Sequence, residues 1–130
     1  MKQFSLSTGK RTEFIDITRQ VQIAVDDLGL KDGAVTVFIP HTTAGVTINE
    51  HADPDVVRDM AMVLDRLVPW DDPGYKHGEG NTAAHVKTSM MGPSTRVFVE
   101  GGRLKMGTWQ GIFFCEFDGP RERQVWVSAG

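Results

Sequence analysis

A chain of 130 residues, 40% hydrophobic and 24% charged, can bury one core unaided and is far from the composition of a disordered segment. A net charge of −3 and a pI near 5.7 exclude bulk attraction to nucleic acid or anionic lipid, while leaving room for a local basic pocket. The lone cysteine, Cys115, excludes an internal disulfide framework. The opening MKQFSLSTGKRTEF has no apolar run of signal-peptide length, and the longest apolar stretch, Ile112 to Cys115, is far short of a membrane span. A cytoplasmic protein with neither nucleic-acid nor membrane partners is expected.

Phe4 and Leu6, then Phe14 and Ile17, alternate with polar residues and predict an opening pair of strands around Gly9-Lys10. Thr18 reads as a helix N-cap, with Val21, Ala24, Val25 and Leu28 on one face and Gly29 just past the end. Ala34–Ile39 is apolar and β-branched, a buried strand ending at Pro40. Val46–Ile48 is expected to pair with it after the HTTAG turn. Asp53 followed by Pro54 predicts a helix start, with Val57, Met60, Ala61, Leu64 and Leu67 or Val68 as its buried stripe.

Residues 69–80 (PWDDPGYKHGEG) form a long loop rich in Pro and Gly, and such loops are often functional. Asn81 caps a short helix over Thr82–Met91, closed by Gly92-Pro93. Strands follow at Arg96–Glu100, Gly111–Phe117 and Gln124–Ser128. Helices grouped between strands, without regular alternation, predict one α+β domain over residues 1–130, built on a largely antiparallel sheet with two to three helices.

Of the four histidines, His41, His77 and His85 lie beside turn elements, where side chains can converge. Neutral imidazole is the commonest metal ligand, and three protein ligands leave a position open for water or substrate. Their spacing matches no local zinc signature, so three unrelated surface or capping histidines are the competing reading. His51 reads as an exposed residue near a helix start, without a role. Asn49, Glu50, Asp53 and Asp55 form an acidic run; Asp53 is explained as the N-cap, and Glu50 or Asp55 is a candidate general base or simply a first-turn charge.

The stretch GRLKMGTWQGIFFCEFDGPRER supplies Trp109, Gln110, Glu116 and Asp118, with Arg103 and Arg121 suited to bidentate phosphate or carboxylate contacts. Glu116 and Asp118 share one side of a strand, the pattern of a solvated face. Cys115, inside IFFCEF, reads as a buried, inert thiol. No dinucleotide, P-loop or nucleophile-elbow fingerprint is present.

Three segments, HTTAGVTINEHADPDV, GEGNTAAHVKTSMMG and GRLKMGTWQGIFFCEFDGPR, together closely resemble the YjbQ family, also called UPF0047, over nearly the whole chain. The resemblance implies a compact subunit with a β-rich, sandwich- or barrel-like core, assembled as a homotrimer. It implies a metal-associated site at His41, His77 and His85, and secondary thiamine-phosphate synthase activity. That reaction joins hydroxymethylpyrimidine diphosphate to a thiazole phosphate with loss of pyrophosphate. Carried over by motif, Asn49, Glu50, Asp53 and Asp55 match one segment, and Trp109, Gln110, Glu116 and Arg121 another.

The expectation is thus a metal-associated enzyme on a small phosphorylated substrate. His41, His77 and His85 hold the ion, Glu50, Asp55 or His85 handles the proton, and Asn49, Arg103, Trp109, Gln110, Glu116 and Arg121 contact the substrate. Imidazole ligands favour Zn²⁺, Mn²⁺, Ni²⁺ or Fe²⁺, whereas a diphosphate substrate would bring Mg²⁺. A non-catalytic small-molecule or metal-binding trimer is the rival reading.

Overall fold

Alternating strand patterns and glycine or proline stops set the element boundaries in the computed structural model, which describes residues 1–130. In chain order the elements are β1 (Lys2–Ser7), β2 (Glu13–Asp16), α1 (Thr18–Leu28), β3 (Gly33–Phe38), β4 (Ala44–Glu50) and α2 (Pro54–Leu67). There follow α3 (Thr82–Met91), β5 (Ser94–Glu100), β6 (Arg103–Lys105), β7 (Gln110–Glu116) and β8 (Glu122–Ala129). Gly29 ends α1 in the left-handed conformation that a side chain would disfavour, and its N–H donates back to Asp26. Asp53 caps α2 by accepting from the Asp55 amide at 2.9 Å, with Pro54 at the first helical position.

Every strand pairing is antiparallel. A five-stranded sheet runs β1-β8-β3-β5-β6, and a three-stranded sheet runs β2-β7-β4. The main core lies where the two sheets and α1 meet, filled by Val21 and Val25 of α1, Val35, Val37, Val97 and Val127 of the larger sheet, and Val46, Ile112 and Phe114 of the smaller. The opposite face of the smaller sheet carries Phe113, Cys115 and, just beyond β7, Phe117. These pack with Leu64 of α2 and Ala84 of α3. Strand β7 is therefore covered on both faces, which is why its sequence is a continuous apolar run instead of an alternation. No helix is long and apolar enough to cross a membrane.

Five local expectations are corrected. Thr18 is the first residue of α1 and not its N-cap, a position Ile17 holds without a side-chain cap bond, because the Thr18 hydroxyl is taken by Asp16 and the Ile112 amide. β1 and β2 do not pair with each other: β1 joins β8 and β2 joins β7, in different sheets. β3 and β4 are likewise separated, because the HTTAG segment carries the chain from the larger sheet to the smaller one. Apolar patterning fixes that a segment is a strand, but partner choice depends on distant residues. The three-residue β6, after Gly101-Gly102, is too short to show a period. In α2 only Leu64 is fully buried; Leu67 is 66% exposed, because the helix rests on a single sheet face.

Candidate functional site

The antiparallel β4–β7 ladder has two ends of different character. Ala44 faces Glu116 at one end, and Glu50 faces Gln110 at the other. Six residue steps at about 3.3 Å each separate the two ends by roughly 20 Å. The candidate residues divide between them.

At the Ala44–Glu116 end, a polar cleft of about 580 Å³ opens between the segment after β3, the 69–80 loop, the start of α3 and the β7–β8 turn. His41, His77, His85 and Arg121 all line it. Loop anchoring places His77: the Tyr75 hydroxyl donates to the Pro69 carbonyl at 2.8 Å, the Gly80 amide donates to the His77 carbonyl at 3.1 Å, and Arg11 stacks over Trp70 at 4.1 Å. The His77 and His85 rings meet edge to face with centroids 5.4 Å apart. Two imidazoles on one tetrahedral ion, with metal–nitrogen distances of about 2.0–2.1 Å, would hold their centroids roughly 5 Å apart, a separation close to that of this pair, which is also that of ordinary edge-to-face packing.

His41 is held differently. Its Nε2 accepts the Gln124 backbone N–H at 2.9 Å, and a backbone N–H can only donate. The Nε2 lone pair is therefore occupied, and the neutral ring carries its proton on Nδ1. Partial burial, and then the Arg123 cation, hold the His41 pKa below the ordinary histidine value, against an opposing pull from Glu116. No group of three or more His, Cys, Asp or Glu side chains is placed to share one ion. The histidines share a cleft, but His41 meets it as a donor, not as a third ligand.

The wall behind this cleft is a buried ion pair. Arg123 is 5% exposed and Glu116 fully buried. Glu116 accepts from Arg123 Nε at 2.8 Å and from its Nη2, from the Thr8 hydroxyl at 2.7 Å, and from the Asp118 amide at 3.0 Å. Burial alone would raise the Glu116 pKa, but these donors outweigh it and hold the carboxyl below its usual range. The second Arg123 contact runs to the Thr43 hydroxyl at 2.9 Å. The sequence pattern placed Glu116 on a solvated face or against substrate; it does neither, because β7 is covered on both sides. Its neighbour Asp118 accepts from Asn81 Nδ2 at 2.8 Å and from Arg121 Nη2 at 3.0 Å, while its carbonyl accepts Arg121 Nε at 2.8 Å. Asn81 makes no side-chain cap bond to α3; its amide is committed to Asp118.

No sequence motif joins Arg123, Asp118 and Asn81 as a cluster. One signal was available: Arg123 falls in register with the inward-facing Val125 and Val127 of β8, which demands a buried anion. Gly119, in the turn joining these groups, is required by packing, since a Cβ there would lie 2.2 Å from the Lys10 carbonyl.

The remaining candidates lie away from the cleft. Glu50, Asp55, Asn49, Trp109, Gln110 and Arg103 do not line it. Asn49 accepts from the Glu50 amide at 2.8 Å and Gln110 from the Gly107 amide at 2.8 Å, both contacts within a few residues of chain. Asp55 is an exposed first-turn charge 3.9 Å from Arg58, and Trp109 is 64% exposed. The Cys115 thiol is buried, its pKa pushed up by desolvation, as the apolar run implied.

Two curled antiparallel sheets with three helices define the class. The family model described as "UPF0047 protein YjbQ-like" matches residues 2–129, and the chain belongs to that family. It is 53% identical to the UPF0047 protein YugU of Bacillus subtilis over 98% of this chain and 96% of that one. It is 45% identical to UPF0047 protein MJ1081 of Methanocaldococcus jannaschii, over 96% and 90% of the two chains. Among solved structures, a YjbQ/UPF0047-family protein from Clostridium acetobutylicum superposes with a TM-score of 0.97 at 54% identity, over the whole of both chains. The conserved hypothetical protein TT1486 from Thermus thermophilus gives a TM-score of 0.93 at 40% identity, again over both full chains.

Proposed function

We propose that the chain is a metal-associated enzyme acting on a small phosphorylated substrate in the His77–His85 cleft. One observation carries this reading: two adjacent imidazoles spaced as a ligand pair share a polar cleft with Arg121, a guanidinium that Asp118 engages through only part of its N–H set. His77 and His85 would hold a divalent ion of the Zn²⁺, Mn²⁺, Ni²⁺ or Fe²⁺ type, with Mg²⁺ entering only alongside a diphosphate. Such an ion, when bound, supplies Lewis-acid stabilisation of phosphate oxygens. Arg121 binds the anionic group, and the buried Glu116–Arg123 pair keeps the wall in place. The neutral His41 offers an Nδ1–H donor.

Thiamine-phosphate synthesis is the finer form of this reading, and its support is the family resemblance. Arg121 and the His41 donor would then stabilise departing pyrophosphate. The test is direct. Purified protein should bind Zn²⁺, Mn²⁺ or Ni²⁺ in calorimetric titration and convert the two thiamine precursors, and His85→Ala should lose both. Undiminished metal binding and turnover in His85→Ala would overturn it.

A non-catalytic binding module is favoured by a separate observation. Neither Glu50 nor Asp55 lines the cleft; of the carboxylates that do, Asp118 is committed to Asn81 and Arg121, and Glu79 is 72% exposed on the loop, 3.9 Å from His77, with no buried contact to orient it as a base. Thermal stabilisation by pyrophosphate without turnover of any phosphorylated substrate would select it. In either form we place the protein in the cytoplasm as a homotrimer. A free, buried thiol suits a reducing compartment. Exposed Phe98, and Phe38 stacked on Trp126 at 5.7 Å, give the larger sheet an apolar outer surface suited to a subunit contact.

A further inference from the structure

The Glu50–Gln110 end of the ladder carries its own chemistry. We propose that Asp16, Arg19, His51 and Arg103 form a second, separate site, which takes a phosphate group on a small molecule. The inference does not rest on the reading of the first cleft.

His51 is built into place. Its Nδ1 lies 2.9 Å from Asp16 Oδ2, and its backbone N–H donates to the Trp109 carbonyl at 2.9 Å. The ring lies against the bare backbone of Gly111, where an added Cβ would come within 2.4 Å of Nδ1. Asp16 is itself oriented: its Oδ1 accepts the Thr18 amide at 2.9 Å and the Thr18 hydroxyl at 2.6 Å. Burial works against ionisation of Asp16, but the Thr18 and His51 hydrogen bonds prevail and keep it an anion. An ionised carboxylate can only accept, so His51 carries a proton on Nδ1. Its Nε2 is left without a partner, and the side chain is 32% exposed. An Asp–His pair of this kind can accept a proton at Nε2 or, once protonated, donate one to an oxyanion.

His51 and Asp16 line an open cleft of about 720 Å³ whose other walls carry Arg19 and Arg103. Neither arginine has an acidic partner, in contrast to Arg121 and Arg123. The wall bearing Arg103 is fixed: Gln22 of α1 donates to the Gly102 carbonyl and accepts the Leu104 amide, each at 2.9 Å. Two unneutralised guanidiniums lining one cleft with a histidine whose Nε2 is free match the charge and hydrogen-bonding chemistry of a phosphate, for which arginine provides paired donors. The N-terminus of α1, which opens at Thr18, adds a favourable dipole.

The experiment is a titration of ¹⁵N-labelled protein with pyrophosphate, and in parallel with inorganic phosphate, read from the imidazole nitrogen resonances. The His51 resonances should shift saturably in the wild-type protein and equally in His85→Ala. The exposed double variant Arg19→Ala/Arg103→Ala should keep the folded spectrum and bind at least tenfold more weakly at His51. Asp16→Asn should alter the Nδ1 signal even before ligand is added. An unmoved His51 at saturating pyrophosphate, or an undiminished response in the double arginine variant, would overturn the proposal. Responses at His77 and His85 report the first cleft independently, so failure of one site is distinguishable from failure of the other.

Discussion

The two ends of the β4–β7 ladder each fix a histidine, but through opposite ring nitrogens. At the Ala44 end a backbone amide occupies Nε2 of His41, while burial and Arg123 keep the ring neutral. At the Glu50 end a carboxylate holds Nδ1 of His51 and leaves Nε2 open to a cleft. The first arrangement makes the ring a donor; the second makes it a proton acceptor. The ends also differ in how charge is treated. Arg123 is sealed against Glu116 inside the protein, whereas Arg19 and Arg103 stay unpaired at the surface. The chemical availability of a histidine or an arginine is decided by its partners, and residue type alone does not reveal it.

That contrast is open to attack, first where the effect is largest. Glu116→Gln strands the buried Arg123 and should cost about 3–5 kcal/mol in urea unfolding, whereas Asp16→Asn, at a half-exposed pair, should cost roughly 1 kcal/mol. Equal losses would erase the distinction between a structural end and a chemical end. The folded Glu116 pKa lies below its ordinary value of 4.5. Its stabilising contribution is therefore present above that value and lost as pH falls through the folded pKa. Glu116→Gln should lack this part of the acid transition.

A smaller effect is expected from Gly111→Ala, which drives a methyl into the His51 ring. A loss of about 1–3 kcal/mol is expected from overpacking, together with shifted His51 resonances and unshifted His77 and His85. Movement at both ends would show that the ladder couples them. Smaller again is the step from His41. Its folded pKa is depressed from 6.5, so its contribution is full above that value and falls away as pH drops toward the folded pKa. His41→Gln should remove that slope from a stability–pH profile measured from just above 6.5 downward. The smallest change should come from Trp109→Ala, within about 0.5 kcal/mol by thermal unfolding, because the ring is 64% exposed.

Several local signals in the chain are legible where a single segment decides the outcome, although the Thr18 cap and the α2 stripe are not among them. Asp53-Pro54 opens α2, Gly29 closes α1, and the IFFC run of β7 is buried with its inert Cys115. The histidines at positions 41, 77 and 85 could be picked out as candidates, and they do line one cleft. Their roles could not be read, since His41 is governed by Gln124, 83 residues away. No local signal marks His51, whose partner Asp16 lies 35 residues earlier, and none separates Arg103 from Arg121, which sit in different clefts.

By itself, then, the sequence determined the element types, most caps, the α+β class and the family, because propensity, period and turn chemistry act within a few residues. Only the tertiary structure decided which strands pair and which acid neutralises which arginine. It also decided that the candidate residues divide between two ends of one ladder. Those outcomes depend on contacts between segments far apart in the chain, where burial removes water and leaves each polar group with only the partners the fold brings to it.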